Sequence, residues 1–370
     1  MSRPAPNRTR TARLAGKAAF AVLAGSALLP AHAAAPAARP THVVVDSSGT
    51  PVKLVRPLHR IADLWYAHNS LVIMLGSGKD IVATIADPRR NPWMYKIEPS
   101  LKQAMSLPSG APSVEAIKRA NVDAAFVGPP RLVEDLRRLH IPVVQAGFQN
   151  VEELKRCVTV TADALGTQRA HDTAQKFLAA LQAKVAMIHK RIDPLKPSQR
   201  PTVLHISSLS PLRVDGGHTI FNTWLHLAGG RNAADVIPNL GQVTMEEVAA
   251  LNPDVIILGG TAGKFDPKAN GLWQTMKAVR TGHVYRNPAG VFPFDRYGPE
   301  FLLQIQWAAK TLHPALFRDI DMKAETLAFY RTFFRYDMTP HEADLILAAQ
   351  PPDGMQSAPS WNGGYRGEHR

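Results

Sequence analysis

Strand-like and helix-like segments alternate on both sides of one long helical stretch, and this pattern predicts an α/β fold. Two observations carry it. Short apolar runs are followed by amphipathic ones before residue 160 and again after residue 201, the rhythm of a parallel α/β layer. Between these halves, Ala174, Phe177, Leu181, Val185, Ile188 and Ile192 recur every three or four residues.

The first half opens with a hairpin. Val43–Val45 and Val52–Val55 flank a turn at Ser47-Ser48-Gly49-Thr50. "RIADLW" reads as a buried strand, and "YAHNSLVIML" as a helix that Gly76 ends. "DIVATI" is the next strand. "SVEAIKRA" then leads as a helix into strand "VDAAFVG", and "RLVEDLRRL" into strand "IPVVQA". Thr167 caps the long helix, which runs to Ile192, about 39 Å at 1.5 Å per residue. That length suits a connection between two lobes. Pro194, Pro197 and Pro201 stop it.

In the second half "PTVLHIS" is a strand and "TIFNTWLHLAGG" a helix closed by Gly229 and Gly230. "TMEEVAALNPDVIILGG" is a helix running into a strand, with Thr244 and Glu247 forming a capping box. "GLWQTMKAVRTGHVYRNP" repeats that order, and Pro299–Ala349 is mostly amphipathic helix. Residues 350–370 are polar and rich in Pro, Gly and Ser, the composition of a disordered tail.

The first 33 residues combine five cations, an apolar run from Ala18 to Leu29, and Ala31-His32-Ala33. This is the pattern of a secretory signal peptide cleaved after Ala33. No cysteine stands near the cleavage site, so no lipid anchor is expected. The net charge of +13 falls to +8 once those five cations are removed. The basic residues are scattered, without a tract or aromatic ladder, which disfavours nucleic acid and leaves an anionic ligand. Cys157 is the only cysteine; it excludes an intrachain disulfide and a cysteine-held metal centre, and its apolar neighbours suit a buried, inert thiol.

"GSGKD" at residues 76–80 invites a phosphate-loop reading. Ile73 replaces the first glycine of that motif and Asp80 its hydroxyl, so the stretch reads instead as a helix-to-strand connector. No nucleophile elbow, dinucleotide fingerprint or carboxylate pair marks an enzyme. The histidines show neither H-x-H nor H-E-x-x-H spacing, so a protein-held metal is not expected.

"SVEAIKRANVDAAFVG" parallels "TMEEVAALNPDVIILGG". Each has a hydroxyl cap, a first-turn glutamate, an apolar helix face, Asn-x-Asp and an apolar strand. Together with "HRIADLW", the long helix, "HLAGGRNAA", "GLWQTMKAVRTGHVYRNP" and the final helices, this order resembles the periplasmic substrate-binding proteins of bacterial ABC importers. The similarity is to the branch with a rigid interlobe helix, which serves ferric siderophores, haem and cobalamin. It covers nearly the whole chain after the signal. It implies two Rossmann-like lobes (41–160 and 201–349) joined by one long α-helix (161–193), with the ligand in a cleft between them. It also implies a periplasmic receptor, expected to be a monomer without cofactor or enzymatic activity, that carries a chelated metal, a ferric siderophore foremost, to an inner-membrane permease. A nickel or cobalt complex, cobalamin or haem would suit the same fold. The permease-docking carboxylates map by position to Glu115 and Glu246. Good helix capping explains the same two glutamates equally well on local grounds.

Ligands of α/β layers sit beyond the carboxyl ends of the strands. That rule nominates residues 65–69, 87–95 and 128–131 in the first half, and 207–219, 261–265 and 289–297 in the second. Arg89, Arg213 and Arg296 would neutralise an anion. Trp65, Trp93, Tyr95, Phe292, Phe294 and Tyr297 would pack on an apolar or planar ligand. His68 and His218 would reach a metal's open position, with Asn69 beside them. Competing roles are core packing for the aromatics, a structural histidine at 68 and a solvated Arg89-Arg90 pair. Gly216-Gly217 are expected to bring backbone close to the ligand.

Overall fold

The computed structural model describes residues 39–128 and 132–356. The expected signal peptide, most of the C-terminal tail and residues 129–131 of one nominated loop lie outside them. In chain order the first lobe contains β1 (Thr41–Val45), β2 (Pro51–Val55), β3 (Ile61–Asp63), α1 (Tyr66–Met74), β4 (Ile81–Thr84), α2 (Pro92–Ile97), β5 (Met105–Ser106), α3 (Val114–Arg119), β6 (Ala124–Val127), α4 (Val133–Arg138) and β7 (Val143–Gln145). Two helices follow, α5 (Val151–Leu165) and α6 (Gln168–Ile192). The second lobe contains β8 (Thr202–Leu209), β9 (Leu212–Val214), α7 (Ile220–Leu227), β10 (Arg231–Asn232), β11 (Gly241–Gln242), α8 (Met245–Leu251), β12 (Val255–Leu258), α9 (Gly271–Thr275), α10 (Lys277–Arg280) and β13 (Val284–Arg286). The chain closes with α11 (Phe301–Leu312), α12 (Met322–Phe329), a π-helical turn at Tyr330–Phe334, and α13 (Pro340–Leu347).

The first lobe's sheet is wholly parallel, in the order β5-β4-β3-β6-β7. Chain order reverses between β3 and β6, the switch point where doubly wound sheets open a crevice. β3 is buried at every residue because it is central and covered on both faces. The second sheet is mixed. β8, β12 and β13 run parallel, whereas β9 folds back antiparallel on β8 and β11 antiparallel on β9. Much of the 207–219 stretch expected as a ligand loop is therefore sheet.

α6 begins at the Thr167 cap, whose side chain accepts from Ala170 N. Its 25 residues span about 37 Å. Residues 161–165, placed with this helix by the sequence, instead complete α5. Asn150 starts α5 by accepting from Glu153 N, and Gly166 ends it at φ +68, a left-handed conformation that glycine adopts without steric cost. α6 packs on α5, α7 and α11, and Lys184 on it reaches Glu325 of α12 at 2.7 Å. One continuous apolar core joins the first lobe, α5, α6, α7 and the terminal helices, while a smaller core around Leu204, Ile206, Val248, Ile256, Leu258 and Trp273 includes residues of β8, α8 and β12.

Gly76 has φ +90 and closes α1 with its N–H on Ile73 O, and a 3₁₀ turn at Gly78–Asp80 leads into β4. "GSGKD" is thus the connector the sequence suggested. The Thr244–Glu247 capping box is formed in both directions.

Candidate functional site

The loops after β4, β12 and β13 leave the carboxyl ends of parallel strands in both sheets. With the segment after α13, they line a half-open cavity of about 350 Å³. Its first-lobe wall is Arg89–Trp93. Asp87 builds this turn, its Oδ1 accepting from the backbone N–H of Arg89 (2.8 Å) and Arg90 (3.2 Å), before Pro92 starts α2. The second-lobe walls are Gly260–Lys264 and Arg286 with Ala289–Pro293.

Arg89, Arg90, Lys264 and Arg286 line the cavity, and no carboxylate among the described residues does. Arg286 donates to Gly259 O at 3.0 Å and Gly263 O at 2.6 Å, holding the loop after β12 around the cavity. Burial lowers its pKa, because a desolvated cation lacks water's stabilisation. Arg89 is largely exposed, with Asp87 3.9 Å from its Nε. Asn91 lines the cavity with only 3% exposure, and its Oδ1 has no hydrogen-bond partner among the described residues. A buried polar atom left open at a basic cavity suits a ligand that supplies the missing partner.

Trp93 forms part of the wall, buried, with its indole N–H on Gln350 O at 2.9 Å. Tyr95, expected beside it, points into the fold and donates to Ala86 O at 3.0 Å. Pro92 at the first helical position was the sequence signal that 92–97 is a helix, whose spacing sends Trp93 and Tyr95 in different directions.

Other expected contacts are corrected. α1 is buried at every residue, so its polar side chains serve the interior. His68 lies between Asp63 Oδ2 (2.8 Å) and Thr161 Oγ1 (2.9 Å), stacked on Phe126. Asn69 donates to Trp65 O and accepts from Thr84 Oγ1 at 2.7 Å. Phe292 and Phe294 are fully buried core residues. Arg213 donates to Leu240 O at 2.9 Å, tying β9 to the chain entering β11. His218 is exposed, at φ +58, and does not line the cavity. Gly216 and Gly217 let the chain approach itself: a Cβ at Gly216 would lie 1.7 Å from Ile237 O, and one at Gly217 2.4 Å from Asp235 O.

Trp65 and Tyr297 do meet, across the lobes. Their ring centroids are 5.9 Å apart, Phe148 contacts both, and Tyr297 donates its hydroxyl proton to Gln149 Oε1 at 3.0 Å. Gly128 lies flat against Trp65, where a Cβ would come within 2.4 Å of the indole.

A buried ionic network that the sequence did not reveal sits behind this aromatic contact. His205 Nδ1 is 2.6 Å from Asp215 Oδ2. Its Nε2 is 2.9 Å from Asp295 Oδ2, at ion-pair distance but off the line of a good hydrogen bond. Arg296, expected in the ligand cleft, instead reaches Asp215 Oδ1 at 3.5 Å and stacks on Phe221 at 4.2 Å. Burial opposes the imidazolium, but the two carboxylates outweigh it and raise the His205 pKa. Each of His205 and Arg296 thus has a carboxylate within 3.5 Å, the pairing that lets such groups stay buried. The signal available in the sequence was His205 inside a strand otherwise apolar at 203–206.

Two α/β lobes joined by a long helix, with a basic cavity at the carboxyl ends of both sheets, define a ligand-binding protein of the two-lobed transport class. The chain belongs to the periplasmic binding protein family, which it matches over residues 72–290. This is a family of binding proteins, not enzymes. The molybdate-binding protein MolA of Haemophilus influenzae is 22% identical over 332 residues, covering 81% of this chain and 93% of that protein. An uncharacterised ABC transporter substrate-binding lipoprotein of Bacillus subtilis, YvrC, is 22% identical over 74% of this chain and 86% of its own. Among solved structures, a periplasmic solute-binding protein of Veillonella parvula superposes with TM-score 0.72 at 24% identity, covering 83% of this chain and 97% of that one. CeuE of Helicobacter pylori in its Ni-His complex gives 0.67 at 20%, with 83% and 99% covered. At these identities the structural likeness speaks for the fold. Membership implies a permease partner. No helix among the described residues is long and apolar enough to cross a membrane.

Proposed function

We propose that the protein captures an anionic small molecule, a negatively charged metal chelate such as a ferric siderophore, in the basic cavity and delivers it to an inner-membrane permease from the periplasm. The observation that carries this reading is the lining itself: among the described residues, four cationic side chains, no carboxylate, and an unpartnered Asn91 amide oxygen. Such a surface repels a bare metal cation and attracts an anion. A volume of about 350 Å³ also falls within the usual range for organic ligands, and the apolar wall of Trp93, Pro293, Ala348 and Ala349 suits an organic body. Purification from the native periplasm, followed by metal analysis and mass spectrometry of the bound molecule, tests the reading. Recovery of a cationic or neutral, metal-free ligand would refute it.

A second reading is a bare oxyanion, favoured by the same density of cations and by the molybdate-binding relative. Titrating Trp93 fluorescence with molybdate and with ferric chelates of graded charge separates the two.

Glu115 and Glu246 fit the docking role. Both are exposed in the first turns of α3 and α8, helices that precede β6 and β12 and so start on the cavity side of their sheets. Neither forms an ion pair among the described residues. Glu247 is occupied by the capping box, leaving Glu246 for a partner's cation. Export through the N-terminal segment, with cleavage after Ala33, and a monomeric state complete the proposal.

A further inference from the structure

The cavity has a third wall that belongs to neither sheet. Ala348, Ala349, Gln350 and Pro351, the chain leaving α13, form it beside the two sets of loops. This segment is tied to both lobes. On the second-lobe side, Ala289 N donates to Ile346 O at 3.0 Å, at the start of the Ala289–Pro293 wall. On the first-lobe side, Trp93 donates its indole proton to Gln350 O at 2.9 Å, and Lys96, one helical turn on, reaches Glu342 at 2.7 Å. Glu342 also accepts from Tyr336 (2.7 Å) and from Thr339 N, so the anchor at the start of α13 is built from three sides. The segment folds tightly on its own helix, with Gln350 N on Leu345 O at 2.7 Å. Ala349 does this at φ +54, a left-handed conformation costly for a residue with a Cβ.

We propose that Ala348–Pro351 is a strap that governs entry to the ligand cavity, with Trp93 as the positioning residue that holds it through Gln350 O. The inference rests on the cavity being the ligand site. Trp93 performs two jobs with one side chain. Its buried ring walls the cavity, and its N–H fixes the strap, so the strap keeps this side of the half-open cavity shut while that bond holds. Lys96–Glu342 sets where α13 stands and thereby where the strap lies.

The test needs no knowledge of the natural ligand. A cysteine is placed in the second-lobe wall by Thr261→Cys, and its reaction with dithiobis-nitrobenzoate, an anionic aromatic disulfide, is followed by stopped-flow absorbance. Cys157 gives no background: it is buried, donates to Ala146 O, and burial pushes its thiol up to about 12. Adding Trp93→Phe removes the donor and leaves a smaller ring in the wall; acceleration in this variant alone would report the lost ring volume and overturn the proposal. Labelling should accelerate roughly three- to tenfold, the equilibrium weight of one hydrogen bond. A chain ending at Ala349, which retains α13, should accelerate at least as much, with circular dichroism and melting confirming that both variants fold. Rates within about twofold of the parent in both variants overturn the proposal. So does acceleration confined to the shortened chain, because Trp93 would then not be what holds the strap. Protection of the introduced thiol by molybdate or ferric citrate is measured separately. Its absence bears on the ligand reading, while the labelling comparison still decides the strap.

Discussion

Glu300→Gln offers the cleanest test of how the second-lobe wall is held. Glu300 lies fully buried at the N-terminus of α11, where its Oε1 accepts from Phe292 N at 2.9 Å and from the Tyr330 hydroxyl at 3.1 Å. Tyr330 in turn accepts from Val291 N at 3.1 Å. These bonds shape residues 290–293 of the cavity wall. Glu300 Oε2 has no partner among the described residues, and desolvation raises the carboxyl pKa from its ordinary 4.5 to about 7. The sign follows from linkage. A folded-state pKa above the unfolded one means that the folded protein binds the proton more tightly. The stabilisation is then fully present below about pH 4.5 and lost as pH rises through 7. At 1.36 kcal/mol per pKa unit the loss is about 3 kcal/mol. Glutamine keeps the accepting oxygen and removes the charge. Urea denaturation at pH 5 and pH 8 should therefore show the wild type losing about 2.5 kcal/mol more than Glu300→Gln across that interval. Equal losses in the two proteins would refute the reasoning, and so would a variant less stable than wild type at pH 8.

Asp215→Asn leaves His205 and Arg296 facing one carboxylate, and breaking such a buried ion group should cost about 3–5 kcal/mol in the same assay. Because the His205 pKa is raised, its contribution should be present below about pH 6.5 and fade at higher pH; His205→Gln should abolish that pH dependence, read as the difference between parallel denaturation series. Arg90→Ala, which removes a cavity charge, should weaken the ligand that co-purifies by roughly tenfold or more, with a larger effect at low salt, measured by calorimetry. Reversing Glu115 and Glu246 together to lysine should abolish uptake while leaving solution affinity within about twofold, and undiminished uptake would dismiss the docking role.

Sequence reasoning succeeded where the signal was local. The hairpin at 41–55, the elements β3, α1, β4, α3, β6, α4 and β7, the Thr167 cap and the Thr244–Glu247 box depend on periodicity and on side chains reaching two or three residues along the chain, whereas α2 and β5 were not read. α5 carries comparable signals in Asn150 and Gly166, but they stand beside a longer helix whose periodicity dominates the same stretch. The site was legible only in part. The strand-end rule found the loops at 87–95, 261–265 and 289–297, and they do converge. It did not say which side chains face the cavity. His68 and Asn69 suggest ligand contacts because polar residues in an apolar segment look purposeful. Their purpose is to satisfy Asp63, Thr161, Thr84 and the Trp65 carbonyl in a helix buried on every side.

What the sequence by itself determined is the order of elements, the long connecting helix, the family resemblance and the basic balance of the chain. These are properties of neighbours along the chain and of sums over it. Only the tertiary structure decided that Arg90, Lys264 and Arg286 share one cavity while Arg213 ties β9 to Leu240 and Arg296 turns inward. It also decided that residues 348–351, which by sequence form the junction with a polar tail, wall that cavity. The cause is physical: an arginine's partner is set by whichever carboxylate or carbonyl the fold brings within about 3 Å. His205, Asp215, Asp295 and Arg296 span 91 positions of sequence before they meet.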